Sequence, residues 1–259
     1  SPQEVGLDKG YLSPLEYEGY DLAWNDEFEG SELNSRFWVY ETGTGCPGNC
    51  GWGNNELQFY RANNAKVGDG VLTIEARKEN YQNSLYTSAR IKTQDLKTFK
   101  YGRVDIRALL PKGQGIWPAL WMLGSNIRSV GWPSCGEIDI MEMIGGGGRE
   151  NTIHGTLHWA GPGGEHQQAG GAKSLAKGTF ADEYHVFSII WDENTIRWYL
   201  NNQLFHTISI TPEALSEFHQ PFFFIFNVAV GGRWPGNPDS STVFPQQMKV
   251  DYVRVFQKK

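Results

Sequence analysis

Residues 185–208 read HVFSIIWDENTIRWYLNNQLFHTI. Three runs rich in β-branched and aromatic residues are split by polar interruptions at Asp192–Asn194 and at Asn201-Asn202. Asn tolerates the left-handed backbone of tight hairpins, so the stretch predicts three consecutive antiparallel strands. The same texture extends outward on both sides. VLTIEARK (71–78), TSARIKTQ (87–94), GRVDIRALLP (102–111) and VDYVRVFQ (250–257) alternate or are β-branched and aromatic. PFFFIFNVAV (221–230) is apolar at odd and even positions alike, as in a strand covered on both faces. Only TPEALSEF (211–218) has the pattern of a short helix. Many short strands with frequent turn signals imply an all-β sandwich of two packed antiparallel sheets.

A chain of 259 residues is ordinary for one sandwich, and it buries enough surface to fold without disulfides. The net charge is −6 and there is no basic block, which excludes a nucleic-acid footprint. No apolar run reaches the roughly 18 residues of a membrane-spanning helix. The opening SPQEVGLDKG lacks a charged-then-apolar leader, which fits a cytosolic protein or one whose signal peptide has been removed. Cys46 and Cys50, in CPGNC, are close enough to pair across a Pro-Gly turn, which leaves Cys135 as a buried thiol.

Residues 135–148, CGEIDIMEMIGGGG, set three carboxylates in an apolar run. In a strand Glu137 and Asp139 share one face while Ile138 and Ile140 take the other. Regular alternation would then send Glu142 into the core, where an unpaired carboxylate costs several kcal/mol. A β-bulge at Ile140-Met141 restores Glu142 to the face of the other two acids. Three acids a few Å apart cannot all ionise freely, so at least one stays protonated more readily than usual. A carboxylate beside a carboxylic acid is the pair that glycosidases use, about 5–5.5 Å apart in retaining enzymes. The same acids also fit a solvated acidic face or a Ca²⁺ site. GIWPALWML (115–123) puts Trp117, Ala119 and Trp121 on one parity, either as core or as a platform for sugar rings, and its Pro118 predicts an interruption or bulge. NTIHGTLHW (151–159) alternates Thr152, His154, Thr156 and His158 against Ile153, Leu157 and Trp159. It follows the acidic strand after a Gly-rich turn, so it is expected to pair with that strand and to extend its polar face.

GEIDIMEMIG resembles the catalytic strand of glycoside hydrolase family 16 in its laminarinase form, E-x-D-x-x-E. WGNNELQFY, TSARIKT, GIWPALWML, HGTLHW, FNVAVGGRWPG and MKVDYVRVFQ resemble its other segments in the family's order, from about Tyr20 to the C-terminus. The resemblance implies a β-jelly-roll sandwich with a cleft across its concave sheet, and retaining endo-hydrolysis of β-1,3-glucans such as laminarin, with mixed-linkage β-1,3-1,4-glucans as a further class. Glu137 would be the nucleophile, Glu142 the general acid and then base, and Asp139 would hold a shared proton. By the same match Trp117, Trp121, Arg90, Asn55, Glu56, His158, Asn227 and Trp234 are candidate substrate-binding residues. No catalytic cofactor is implied. A structural Ca²⁺ on the convex side is, with the backbone carbonyls of Glu27 and Gly70 and the side chain of Asp251 as ligands. A polysaccharide substrate implies a secreted protein, expected as a monomer without a membrane span. Residues 1–19 match nothing in the family and are expected as a surface-laid tail on a single catalytic domain, 1–259. The same family holds agarases and carrageenases, and related sandwiches bind β-glucan without cutting it. The latter lack one or both motif glutamates, which are both present here. A purely structural or adhesive sandwich would show neither perturbed carboxylates nor glucan binding.

Overall fold

A computed structural model describes residues 4–259, so the first three residues of the expected tail lie outside the described part. The hairpins read from 185–208 are present as strands His185–Trp191, Thr195–Leu200 and Gln203–Ser209. Asn201 and Asn202 take the left-handed conformation between the second and third, at φ 48° and 63°. The three lie side by side at one end of a ten-stranded sheet. Gly102–Leu109, Gln246–Lys258, Val71–Tyr81, Ser84–Ser88 and Gln58–Tyr60 continue that sheet, with Tyr20–Asp26 and Ala65–Gly68 attached beside it. Among the described strands of this sheet all pairings are antiparallel except Gln58–Tyr60 with Ser84–Ser88. The helical pattern at 211–218 is realised as tight 3₁₀ turns over Glu213–His219.

The second sheet has seven strands in the order His166–Ser174, Thr152–Ala160, Glu137–Glu142, Ile116–Gly124, Phe222–Val230, Arg90–Lys92 and Val39–Glu41. The core lies between the sheets. Ile138, Leu120, Met122, Leu157, Phe224 and Phe226 enter it from the seven-stranded side, and Ile74, Ile106, Ile189 and Val253 from the other. Phe222–Val230 is buried along its whole length, because its odd-numbered side chains lie under cleft residues while the even ones fill the core. Each such large apolar side chain contributes roughly 1.5–3 kcal/mol on burial. Pro118 does not interrupt its strand, contrary to the sequence reading. Its partner Val228 is in register, and its carbonyl accepts from the Met143 N–H just past the end of the acidic strand. The N–H that proline lacks therefore faces an edge where the ladder is already ending.

Residues 4–19 lie on the outer face of the ten-stranded sheet. Arg107, fully buried, donates to the carbonyls of Leu7, Lys9 and Tyr11 and to the Asp251 carboxylate at 2.6–3.1 Å. Tyr17 donates to Asp105, and Ser13 bonds the Tyr252 hydroxyl. Along one edge of Gln246–Lys258, pairing with Tyr20–Asp26 stops at Val253 and pairing with Val71–Tyr81 starts at Val250. Glu27 and Gly70 therefore flank a gap in the ladder opposite Asp251 and Tyr252.

Candidate active site

The bulge expected in the acidic strand is present. Against Ile116–Gly124, Asp139 pairs with Trp121 and Met141 with Leu120; against Thr152–Ala160, Asp139 pairs with Thr156 and Glu142 with His154. One extra residue is accommodated at Ile140–Met141, and both side chains are buried in the core. Glu137, Asp139 and Glu142 are thereby turned to one face, in a cleft of about 980 Å³. The bulge disturbs the ladder beside the Asp139 carbonyl, which takes a donor from outside its own sheet. The indole of Trp198, from the opposite sheet, donates to it at 2.9 Å. Trp198 can come this close because residue 155 is glycine: a Cβ there would stand 2.3 Å from the ring.

Each glutamate is gripped by an indole. Trp132 Nε1–H donates to Glu137 Oε1 and Trp117 Nε1–H to Glu142 Oε2, both at 3.0 Å. His158 Nε2 lies 3.4 Å from Glu137 Oε2 and 2.9 Å from Asp139 Oδ2, aligned as a hydrogen bond with neither, so its influence is electrostatic. Burial is the first cause that pushes all three carboxyls above their ordinary range, and mutual repulsion adds to it. Glu142 is raised to about 7. Asp139, in the middle, has a like charge on either side, so a shared proton is most stabilising there. Glu137 has the donor and the imidazole to favour its anion.

Other expected residues converge on the same cleft. Trp117, Trp121, Arg90, Glu56, His158, Asn227 and Trp234 all line it. Trp121 donates to Asn227, whose amide donates to Tyr60. Arg90 lies over Trp52 and Trp121 and pairs with Glu41. Burial raises Glu56, although Asn54, Gln58 and Tyr60 donate to it. Asn55 stands apart: it is an exposed turn residue at φ 59°, and Asn54 lines the cleft in its place. The sequence reading missed Trp132, Trp52, Glu41 and His166, which come from loops and edge strands with no periodicity to mark them. The signal available for Trp132 was an indole in a Gly-Trp-Pro turn just before the acid motif.

A concave sheet carrying three coupled carboxyls on a bulged strand, among tryptophans, is the architecture of a jelly-roll glycoside hydrolase. The model for glycosyl hydrolases family 16 matches residues 52–254, and the chain belongs to that family. It is 42% identical over 269 residues to a beta-glucanase of Rhodothermus marinus, covering 97% of this chain and 89% of that protein. It is 39% identical over 263 residues to glucan endo-1,3-beta-glucosidase A1 of Niallia circulans, covering 93% of this chain. The chain spans only 38% of the length of the Niallia protein. The laminarinase catalytic domain of Thermotoga maritima superposes with a TM-score of 0.85 at 47% identity, covering 93% of this chain and all of that one.

Proposed function

We propose that this domain hydrolyses β-1,3-glucans such as laminarin within the chain, with retention, through a glycosyl-enzyme on Glu137. The observation that carries the reading is the bulged strand, which turns three carboxyls to the floor of a cleft and leaves each glutamate with one indole-held oxygen. Lining residues come from all seven strands of the sheet, a span of about 29 Å at 4.8 Å per strand, several sugar rings long. A cleft of that breadth suits attack inside a polymer. Glu142, protonated up to about pH 7, gives its proton to the departing sugar oxygen while a Glu137 oxygen attacks the anomeric carbon. Glu142, now ionised, takes a proton from the water that cleaves the ester. Asp139 relieves the repulsion between the two by carrying the shared proton. The exposed ring of Trp234, edge-on to Trp117 and to His154, offers a stacking platform at the cleft wall.

Mixed-linkage glucans are a second substrate class for the same geometry. Sulfated galactans fit less well, because the lysine and arginine of the cleft, Lys92 and Arg90, both pair with Glu41 at 3.6 and 3.0 Å. The reading places the domain outside the cell, where the Cys46–Cys50 disulfide is stable. Structural Ca²⁺ belongs to the same reading. Glu27 and Gly70, whose carbonyls are the expected ligands, flank the ladder gap, and Asp251 commits Oδ2 to Arg107 while Oδ1 remains. These are the hard oxygens that Ca²⁺ takes, and the ion would tie two strand ends together without entering the reaction.

The test is a reducing-sugar assay on laminarin, mixed-linkage glucan and agarose, with Glu137→Ala as control. The variant should be inactive, and azide with an activated aryl glucoside should restore turnover with inversion. Azide products of retained configuration in Glu137→Ala would exchange the roles of Glu137 and Glu142.

A further inference from the structure

His166 opens the edge strand His166–Ser174 of the concave sheet and is exposed at the cleft wall. Its Nε2 lies 2.7 Å from Nδ1 of His158, a distance that requires a proton between the two nitrogens. The other nitrogen of His158 faces Asp139 Oδ2 at 2.9 Å and Glu137 Oε2 at 3.4 Å. Those oxygens repel a nitrogen lone pair and attract an N–H. A neutral His158 is therefore best placed with its proton on Nε2 and its lone pair on Nδ1, so the proton between the rings comes from His166. Trp132, the indole that holds Glu137, packs on His166 at 4.7 Å between ring centres.

We propose that His166 is a positioning residue for the hydrolysis: by donating to Nδ1 of His158 it fixes the tautomer that turns an N–H toward Glu137 and Asp139. The inference rests on the glucanase reading for its kinetic consequence but not for its structural content. The titratable groups facing the pair are Glu137 and Asp139, from the acidic strand. Glu165, next along the chain, turns its carboxylate back to the Gly163 N–H. Partial burial holds His166 below the usual imidazole range, so it is neutral and free to donate one proton at neutral pH. Without that donor, His158 can lose its Nε2 proton to water, take one up at Nδ1 and present a lone pair to two acids. Glu137 then ionises only at higher pH. A tautomer set by a neighbouring group is known to decide whether a catalytic histidine works.

The experiment compares His166→Phe, which keeps the packing against Trp132, with His166→Gln, whose amide can replace the Nε2–H. Nitrogen-15 imidazole spectra report the His158 tautomer directly, and kcat/KM on laminarin is followed against pH. In His166→Phe the Nδ1-protonated tautomer of His158 should appear in the spectrum beside the Nε2-protonated one. The acid limb should move up by about one pH unit, which lowers kcat/KM on that limb roughly tenfold at a nearly constant KM. His166→Gln should reverse both changes. Retention of the native His158 tautomer alone in His166→Phe would overturn the proposal, as would an unshifted acid limb in an active enzyme. A tautomer change in a protein that never cleaves laminarin would uphold the positioning and reject the glucanase reading instead.

Discussion

Replacing Trp117 with Phe tests the acid directly. The indole N–H donates to Glu142 Oε2 at 3.0 Å, and this bond favours the carboxylate over the carboxylic acid. A hydrogen bond to a charged group contributes about 1.5–3 kcal/mol, and a pKa unit corresponds to about 1.36 kcal/mol. Loss of the bond should therefore raise the carboxyl by about one unit where water substitutes for the indole, and about two where it does not. The native group sits at about 7. In the proposed role of general acid it must be protonated, so activity is expected below that value and should fall as pH rises through it. The basic limb of kcat/KM should move from about 7 to between about 8 and 9. Phe keeps an aromatic edge toward Trp234, whose ring centre is 5.8 Å from that of Trp117, so the cleft wall survives. The assay is the initial rate on laminarin from pH 4 to 10, with a thermal melt at each end to exclude unfolding. A basic limb that stays in place or moves to lower pH would refute the assignment of Glu142 as the acid and Trp117 as its anion-stabilising partner.

Three further outcomes follow from the same structure. Trp198→Phe keeps the ring but removes the buried donor to the Asp139 carbonyl, so a thermal or urea melt should show destabilisation of about 1–3 kcal/mol. Removing Ca²⁺ with EDTA should lower the melting temperature, by about 5–10 °C if the ion was present at about a hundredfold its dissociation constant, and adding Ca²⁺ back should restore it. An unchanged melt would reject the site at Glu27, Gly70 and Asp251. Thiol titration of the unfolded, unreduced protein should find a single free thiol, Cys135, because Cys46 and Cys50 are bonded to each other.

Much of the sandwich was legible because its signals are local. The pair Asn201-Asn202 marks its own hairpin, Asp192 marks the one before it by accepting from the Asn194 and Thr195 N–H groups, and the apolar run Phe222–Val230 declares a strand covered on both faces. The acidic triad was legible for a subtler reason. Parity alone sends Glu142 inward, and the cost of a buried lone carboxylate makes an extra residue in the strand the cheaper solution. Pro118 misled because its consequence depends on which side the missing N–H faces, a property of the neighbour and not of the strand. Asn55 misled because adjacent residues in a turn point in unrelated directions, so a match in sequence did not identify the one that reaches the cleft.

What no reading of the acidic strand could supply is how the bulge is held. At the bulge the Asp139 carbonyl accepts from a donor on the other sheet, the indole of Trp198, at 2.9 Å. For that indole to cross the core, the strand beside the acids must carry no side chain at its closest approach, which is the position of Gly155. Three residues far apart in the chain thus determine one backbone conformation, and that conformation determines where Glu142 points. The aim of the acid is therefore set as much by the packing of the two sheets as by the motif that contains it. A bulge pinned in this way resists sliding along its strand, because any shift would unpair a buried carbonyl and return Glu142 toward the core.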